Sequence, residues 1–126
     1  MASTLHDRGL EMRKKVLGAE HVERTLADTD RFSQPLQDLV NEFCWGAVWS
    51  RPGLEPRLRS MITVGMLTAL NRPNELKTHI RAALGNGVTR EEISEILLHA
   101  SVYCGAPAAV DAFRCMREVY TAVDAR

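Results

Sequence analysis

Four side chains in one short stretch, Arg59, Arg72, Glu75 and His79, have the types needed to move a proton and hold an anion. Glu75 and His79 are four positions apart, a spacing that sets them on adjacent turns of one helix face. An imidazole titrates at about 6.5 and so can act as acid or base, while arginines bind carboxylates through paired N–H donors. His79 adjoins Ile80 and follows Leu76 by three, which puts it at the border between a polar and an apolar face. The same residues also fit an ordinary solvent pair with Arg72 bonding locally, and the spacing leaves both readings open.

A second group is Glu42, Trp45 and Trp49, whose three-and-four spacing places an acid and two indoles on one helical stripe. Such a stripe serves as a ligand wall or as a core or interface seam. His99, one turn after Glu95, reads as a packing histidine or as part of a wall, and Arg57 as a solvent or interface group.

Other chemistries find little support. Cys44, Cys104 and Cys115 are isolated, odd in number and set among apolar neighbours, so buried thiols are expected and a disulfide framework is not. The four histidines, His6, His21, His79 and His99, lack metal-ligand spacing, so no metal is expected. The glycines at 85 and 87 end a helix and form no phosphate loop. Sixteen basic and 16 acidic residues cancel, and the cations do not alternate with aromatics, which argues against nucleic acid as a partner. Met1 to Arg13 carries early charges and no apolar run, unlike a signal peptide, and no stretch approaches the ~20 apolar residues of a membrane span. A cytoplasmic protein with no membrane partner is the expectation.

The elements that must position these residues read as helices. The 126 residues suit one domain. His6 to Leu17 forms a leading helix with Leu10, Met12, Val16 and Leu17 apolar, ended by Gly18. After Ser33 and Pro35, the residues Leu36, Leu39, Val40, Phe43, Ala47 and Val48 mark one broad apolar face, up to Arg51, Pro52 and Gly53. Pro56 opens a third helix so apolar between Met61 and Leu70 that it should be nearly central, with Gly65 admitting a close neighbour. Asn71, Arg72 and Pro73 separate it from a helix bearing Leu76, Ile80, Ala83 and Leu84, which Gly85-Asn86-Gly87 terminates. Thr89 and Glu92 form a capping box ahead of Ile93, Ile96, Leu97 and Ala100. Gly105 and Pro107 precede a last helix through Val110, Phe113 and Val119. The pattern gives five to six helices and no strand.

Several of these segments, in order, resemble a known family. The run Pro52-Gly-Leu-Glu-Pro-Arg-Leu-Arg-Ser-Met-Ile-Thr, then Leu76-Lys-Thr-His79-Ile-Arg-Ala-Ala-Leu, Gly87-Val-Thr-Arg-Glu-Glu-Ile and Tyr103-Cys-Gly-Ala-Pro-Ala-Ala is similar to the carboxymuconolactone decarboxylase family. The segment Glu42-Phe-Cys-Trp-Gly-Ala-Val-Trp-Ser-Arg-Pro-Gly-Leu resembles its branch from protocatechuate breakdown. The likeness spans roughly 36 to 120 and leaves 1 to 32 as an N-terminal extension that packs on the core or on a neighbouring subunit.

The resemblance implies an all-α, alkylhydroperoxidase D-like helical domain, assembled as a trimer or hexamer, that removes carbon dioxide from a small carboxylated lactone without a cofactor. It implies His79, Glu75 and Glu42 as catalytic groups and Arg59, Arg72, Trp45, Trp49 and His99 as substrate-binding groups. Peroxidases of the same superfamily carry a Cys-x-x-Cys pair at the positions matching Arg72 and Glu75, a histidine at His79 and an acid where Ser60 stands. With no thiol at either position, disulfide-forming peroxidase chemistry cannot run on this helix. A hydroperoxide reductase using the other cysteines, or a helical ligand-binding or adaptor protein, is the alternative.

Overall fold

The computed structural model describes residues 4–126, which contain seven α-helices, one π-helical segment and, among the described residues, no strand. The helices are α1 (Leu5–Leu17), α2 (Ala19–Ala27), α3 (Gln34–Leu39), α4 (Pro56–Ala69), α5 (Pro73–Gly85), α6 (Arg90–Cys104) and α7 (Ala106–Asp124), with the π-helical segment Val40–Trp49 continuing α3. The all-α expectation holds. Helix α2 comes in addition to the expected elements; it buries only Val22, and a Glu20–Arg24 pair at 2.8 Å supports its exposed side. No described helix is long and apolar enough to cross a membrane.

Contacts divide the chain into two compact units, one up to Pro56 and one from Arg57. In the first, α1 lies along the π-helical segment. Thr4 caps α1 by accepting from the Asp7 N–H at 3.0 Å, and Gly18, at φ 92°, ends it. The buried row of α1 is Gly9, Arg13 and Val16. Gly9 is the reason the two backbones can meet: a β-carbon there would fall 1.7 Å from the Asn41 carbonyl oxygen. Gly46 does the same from the other side, its β-carbon falling 2.4 Å from the Leu5 carbonyl oxygen.

In the second unit, Val64 of α4, Leu76, Ile80 and Ala83 of α5, Val88 of the following turn, Ile93 and Leu97 of α6, and Ala112, Cys115 and Val119 of α7 form the core. The predicted boundaries hold here. Pro73 sits in the first turn of α5, Asn71 takes φ 55° in the reversal before it, and Gly87 takes φ 93° after it. The Thr89–Glu92 box is formed in both directions, and such a cap is worth ~1 kcal/mol. Glu92 also receives Arg57, whose Nε donates to the Gly87 carbonyl at 3.3 Å.

Two expectations about burial are corrected. The face Leu36, Leu39, Val40, Phe43, Ala47 and Val48 is not a core face: Leu36 is 57% and Phe43 50% exposed, and the buried row is Asn41, Trp45 and Trp49. Helix α4 is not central either. Its buried row is Ser60, Val64 and Thr68, while Met66 is 60% and Leu70 69% exposed. Gly65 does not mark a tight crossing, since a β-carbon there would meet Ile96 at an ordinary 3.7 Å.

Candidate active site

Arg72, Glu75 and His79 converge at the start of α5. Arg72 precedes the helix, and its guanidinium donates to the Glu75 carboxylate at 3.1 Å. Glu75 lies in the first turn, where its own free backbone N–H is available. That N–H, then Arg72, then the nearby His79 hold the Glu75 carboxyl below its ordinary value. Glu75 is therefore an ionised acceptor near neutral pH. Leu76 and Ile80 are buried beneath this face and His79 is half-buried beside them. The borderline position expected for His79 is what the helix produces.

Arg59 is half-buried on α4, one residue before Ser60. Ser60 is fully buried and accepts from Asn86 Nδ2 at 3.1 Å, so the position that is acidic in the peroxidases is here a neutral link between α4 and the end of α5. His99 stands elsewhere on this unit. It is exposed, tilted against Tyr103 with ring centroids 5.2 Å apart, and borders an open groove of about 560 Å³ between α4 and α6. Met61, Gly65, Ile96, Ala100 and Cys104 also line that groove, and neither His79, Glu75, Arg72 nor Arg59 does.

In the first unit, Trp45 and Trp49 are buried and stacked, with centroids 4.7 Å apart and planes 29° from parallel. Glu42 does not share their row; it is half-buried, and Asn41 takes the place. The cause is the i→i+5 hydrogen bonding of a π-helix, which widens the turn so that residues three apart diverge further than in an α-helix while residues four apart stay on one row. Ser50 closes the segment, its hydroxyl donating to the Trp45 carbonyl at 2.7 Å.

Sequence reasoning missed Arg13. It is 7% exposed, and its Nη1 donates to Gln37 Oε1 at 2.9 Å and to Asn41 Oδ1 at 2.8 Å. Burial pushes its pKa down while Cys44 opposes the shift. The only available signal was an arginine four residues after Gly9 on the apolar side of the leading helix.

The cysteines are free, and only Cys115 is buried; Cys44 is exposed and Cys104 intermediate, which corrects the expectation of three buried thiols. Burial of the Cys115 thiol raises its pKa, and desolvation does the same to Cys44. Neither is an activated thiolate.

A chain with this arrangement has close relatives. It is 45% identical over 115 residues to 4-carboxymuconolactone decarboxylase of Acinetobacter baylyi, covering 91% of this chain and 86% of the relative. It is 46% identical over 108 residues to nitrosuccinic acid decarboxylase of Metarhizium robertsii, covering 86% of this chain and 76% of that protein. Both relatives are named decarboxylases, and the model of the carboxymuconolactone decarboxylase family matches residues 34–118, from the start of α3 almost to the end of α7. The helix order, the thiol-free start of α5 and these matches agree: the chain belongs to the carboxymuconolactone decarboxylase family.

Proposed function

We propose that this protein is a cytoplasmic carboxy-lyase that converts gamma-carboxymuconolactone to 3-oxoadipate enol-lactone and carbon dioxide. The observation that carries the reading is the Arg72–Glu75–His79 cluster at the start of α5, in a chain so similar to a named 4-carboxymuconolactone decarboxylase.

The substrate has a carboxylate and a carboxymethyl group on the ring carbon next to the lactone oxygen. When that carboxylate leaves as carbon dioxide, its bonding electrons pass through the ring double bond into the lactone carbonyl and give a furanolate. Protonation of the carbon next to the carbonyl then completes the enol-lactone. The substrate is its own electron sink, so no cofactor is needed for this step.

His79 is the proposed proton donor. Glu75, ionised and adjacent, is the proposed group that orients the imidazole, which regains its proton from solvent, and Glu42 is the second carboxylate proposed for proton transfer. Arg72 and Arg59 are proposed to hold the carboxymethyl group or the developing oxyanion. A cation pressed on the leaving carboxylate would stabilise the ground state, so contacts to the lactone oxygen favour rate. Trp45, Trp49 and His99 are proposed as walls that keep water from the furanolate.

The two units are proposed to be parts of a single domain, since the family match runs across the boundary between them. A homo-oligomer, a trimer or hexamer, is proposed as well, supported by the exposed apolar residues Leu36, Leu39 and Phe43 of the first unit and Ile62, Met66 and Leu70 of the second. Light scattering on the purified protein reads the subunit number directly.

The deciding experiment is incubation with purified carboxymuconolactone, following ultraviolet absorbance and released carbon dioxide. Enol-lactone formation by the metal-free, thiol-alkylated protein supports the proposal. Absence of carbon dioxide from active, folded protein rejects it, and loss of turnover on alkylation alone would favour a thiol-dependent hydroperoxide reductase instead.

A further inference from the structure

The π-helical segment has no local reason to exist. Extended π-helix is rare and usually limited to one turn, yet here it runs for 10 residues through Val-Asn-Glu-Phe-Cys-Trp-Gly-Ala-Val-Trp. Something outside the segment must favour it over the α-helix that α3 begins.

The contacts of α1 supply that support. Arg13 bonds Gln37, which belongs to α3, and Asn41, which belongs to the π-helical segment, through the same nitrogen. The two acceptors thus lie on opposite sides of the junction at residues 39 and 40. Asn41 is 2% exposed and is held again through its amide nitrogen, 3.4 Å from His6 Nε2. Among the described residues, Arg13 has no carboxylate partner, so this buried cation is compensated by amide oxygens rather than by a salt bridge. An arginine kept in so costly a place is best explained by the geometry it enforces. The near-contact of the Gly9 and Gly46 positions with the facing backbone leaves α1 little room to slide.

We propose that Arg13 is a positioning residue: by bonding Gln37 and Asn41 across the α-to-π junction it fixes the register of Val40–Trp49 and thereby the orientation of Trp45 and Trp49. Without this clamp the segment reverts toward α-helical register, which turns residue 42 toward residue 45 and changes the mutual orientation of the two indoles. The kinetic part of this inference rests on the reading that the two indoles border the substrate. The spectroscopic part does not.

The molecule provides its own reporter, because its two tryptophans are both on this segment and stacked on one another. In Arg13→Met, far-UV circular dichroism should still report a helical protein. The near-UV band and emission of the indole pair should change, and kcat should fall by up to about 10²-fold, as for a displaced site wall, with a smaller change in KM. Arg13→Lys, which keeps a charge and donors, should recover part of both signals. A folded Arg13→Met with the near-UV spectrum of the parent overturns the clamp. A changed spectrum with parental kcat overturns its link to the reaction.

If Arg13→Met does not fold, Gln37→Met removes only the α3 half of the bridge and should shift the indole spectrum in the same direction by less. A parental spectrum in that folded variant overturns the proposal equally. Failure of the unsubstituted protein to decarboxylate the lactone would sink the proposed function, while the indole signature would still decide the clamp.

Discussion

Helix α5 buries Leu76, Ile80, Ala82 and Ala83 and carries Glu75 on its open side, whereas the π-helical segment buries Asn41 and two indoles and leaves Phe43 and Val48 exposed. In α5 the buried side chains are aliphatic, and the groups proposed for the chemistry are at most half-buried. In the π-helical segment support and site coincide, because Trp45 and Trp49, the walls proposed for the site, are with Asn41 the side chains that pack the unit. A substitution on α5 should therefore alter the reaction without altering the fold, and one in or against the π-helical segment should disturb both.

The largest effect is expected at His79. His79→Gln should fold normally and lose decarboxylation by about 10²-fold or more, the usual cost of a missing acid or base, as read by ultraviolet turnover. Full turnover in a folded variant removes His79 from the catalytic groups.

The packing half of the contrast is tested by two glycines. Gly9→Ala places a β-carbon 1.7 Å from the Asn41 carbonyl oxygen and should destabilise the protein by about 1–3 kcal/mol in urea, with altered tryptophan emission. Gly65→Ala, which meets only Ile96 at 3.7 Å, should be neutral or stabilise by up to ~1 kcal/mol. Equal stabilities for the two variants would erase the distinction.

A smaller change is expected at Arg72. Its bond to Glu75 is exposed, so Arg72→Gln should move stability by no more than about 0.5 kcal/mol. Its effect belongs in KM and in pH dependence. Arg72 helps to depress the Glu75 pKa; removing it raises that pKa, so the acid limb of the activity profile should move to higher pH. An unmoved acid limb would take Glu75 out of its orienting role at His79. At the bottom of the scale, Cys104→Ser should leave turnover as it was, and a loss of turnover there would revive a thiol mechanism.

The same contrast explains what could be read in the sequence. The boundaries of α5 and α6 were legible because Pro73, Gly85-Asn86-Gly87 and the Thr89–Glu92 box act within a few residues of themselves. So was the cluster of Arg72, Glu75 and His79, since α-helical spacing is all that assembles it. The π-helical segment was not legible: Leu36, Leu39, Val40, Phe43, Ala47 and Val48 repeat with α-helical period, yet the structure leaves Leu36, Leu39, Phe43 and Val48 exposed and buries none of the six. What overrides that period lies some 30 residues earlier, in Gly9 and Arg13, and a tertiary contact of that kind leaves no local pattern. The exposure of Met66 and Leu70 was hidden for a related reason, because an apolar run states only that a helix is to be covered and not what covers it.

Glu92 has a further consequence for the part of the chain between it and Arg57. One of its oxygens accepts the Thr89 N–H at 2.9 Å and the other receives Arg57, so the two ends of a 57–92 loop are knotted together by a single carboxylate. Helix α5, with His79, runs inside that loop. Its enclosure is thus secured by an acid as well as by apolar contacts, and the two fasteners respond to different conditions. The Thr89 backbone and then Arg57 hold the Glu92 carboxyl below its ordinary value, so the knot is tied above the usual carboxylate range and loosens as pH falls through the depressed value. Only acid below the usual carboxylate range would release the chain there, while leaving the hydrophobic packing of α5 intact.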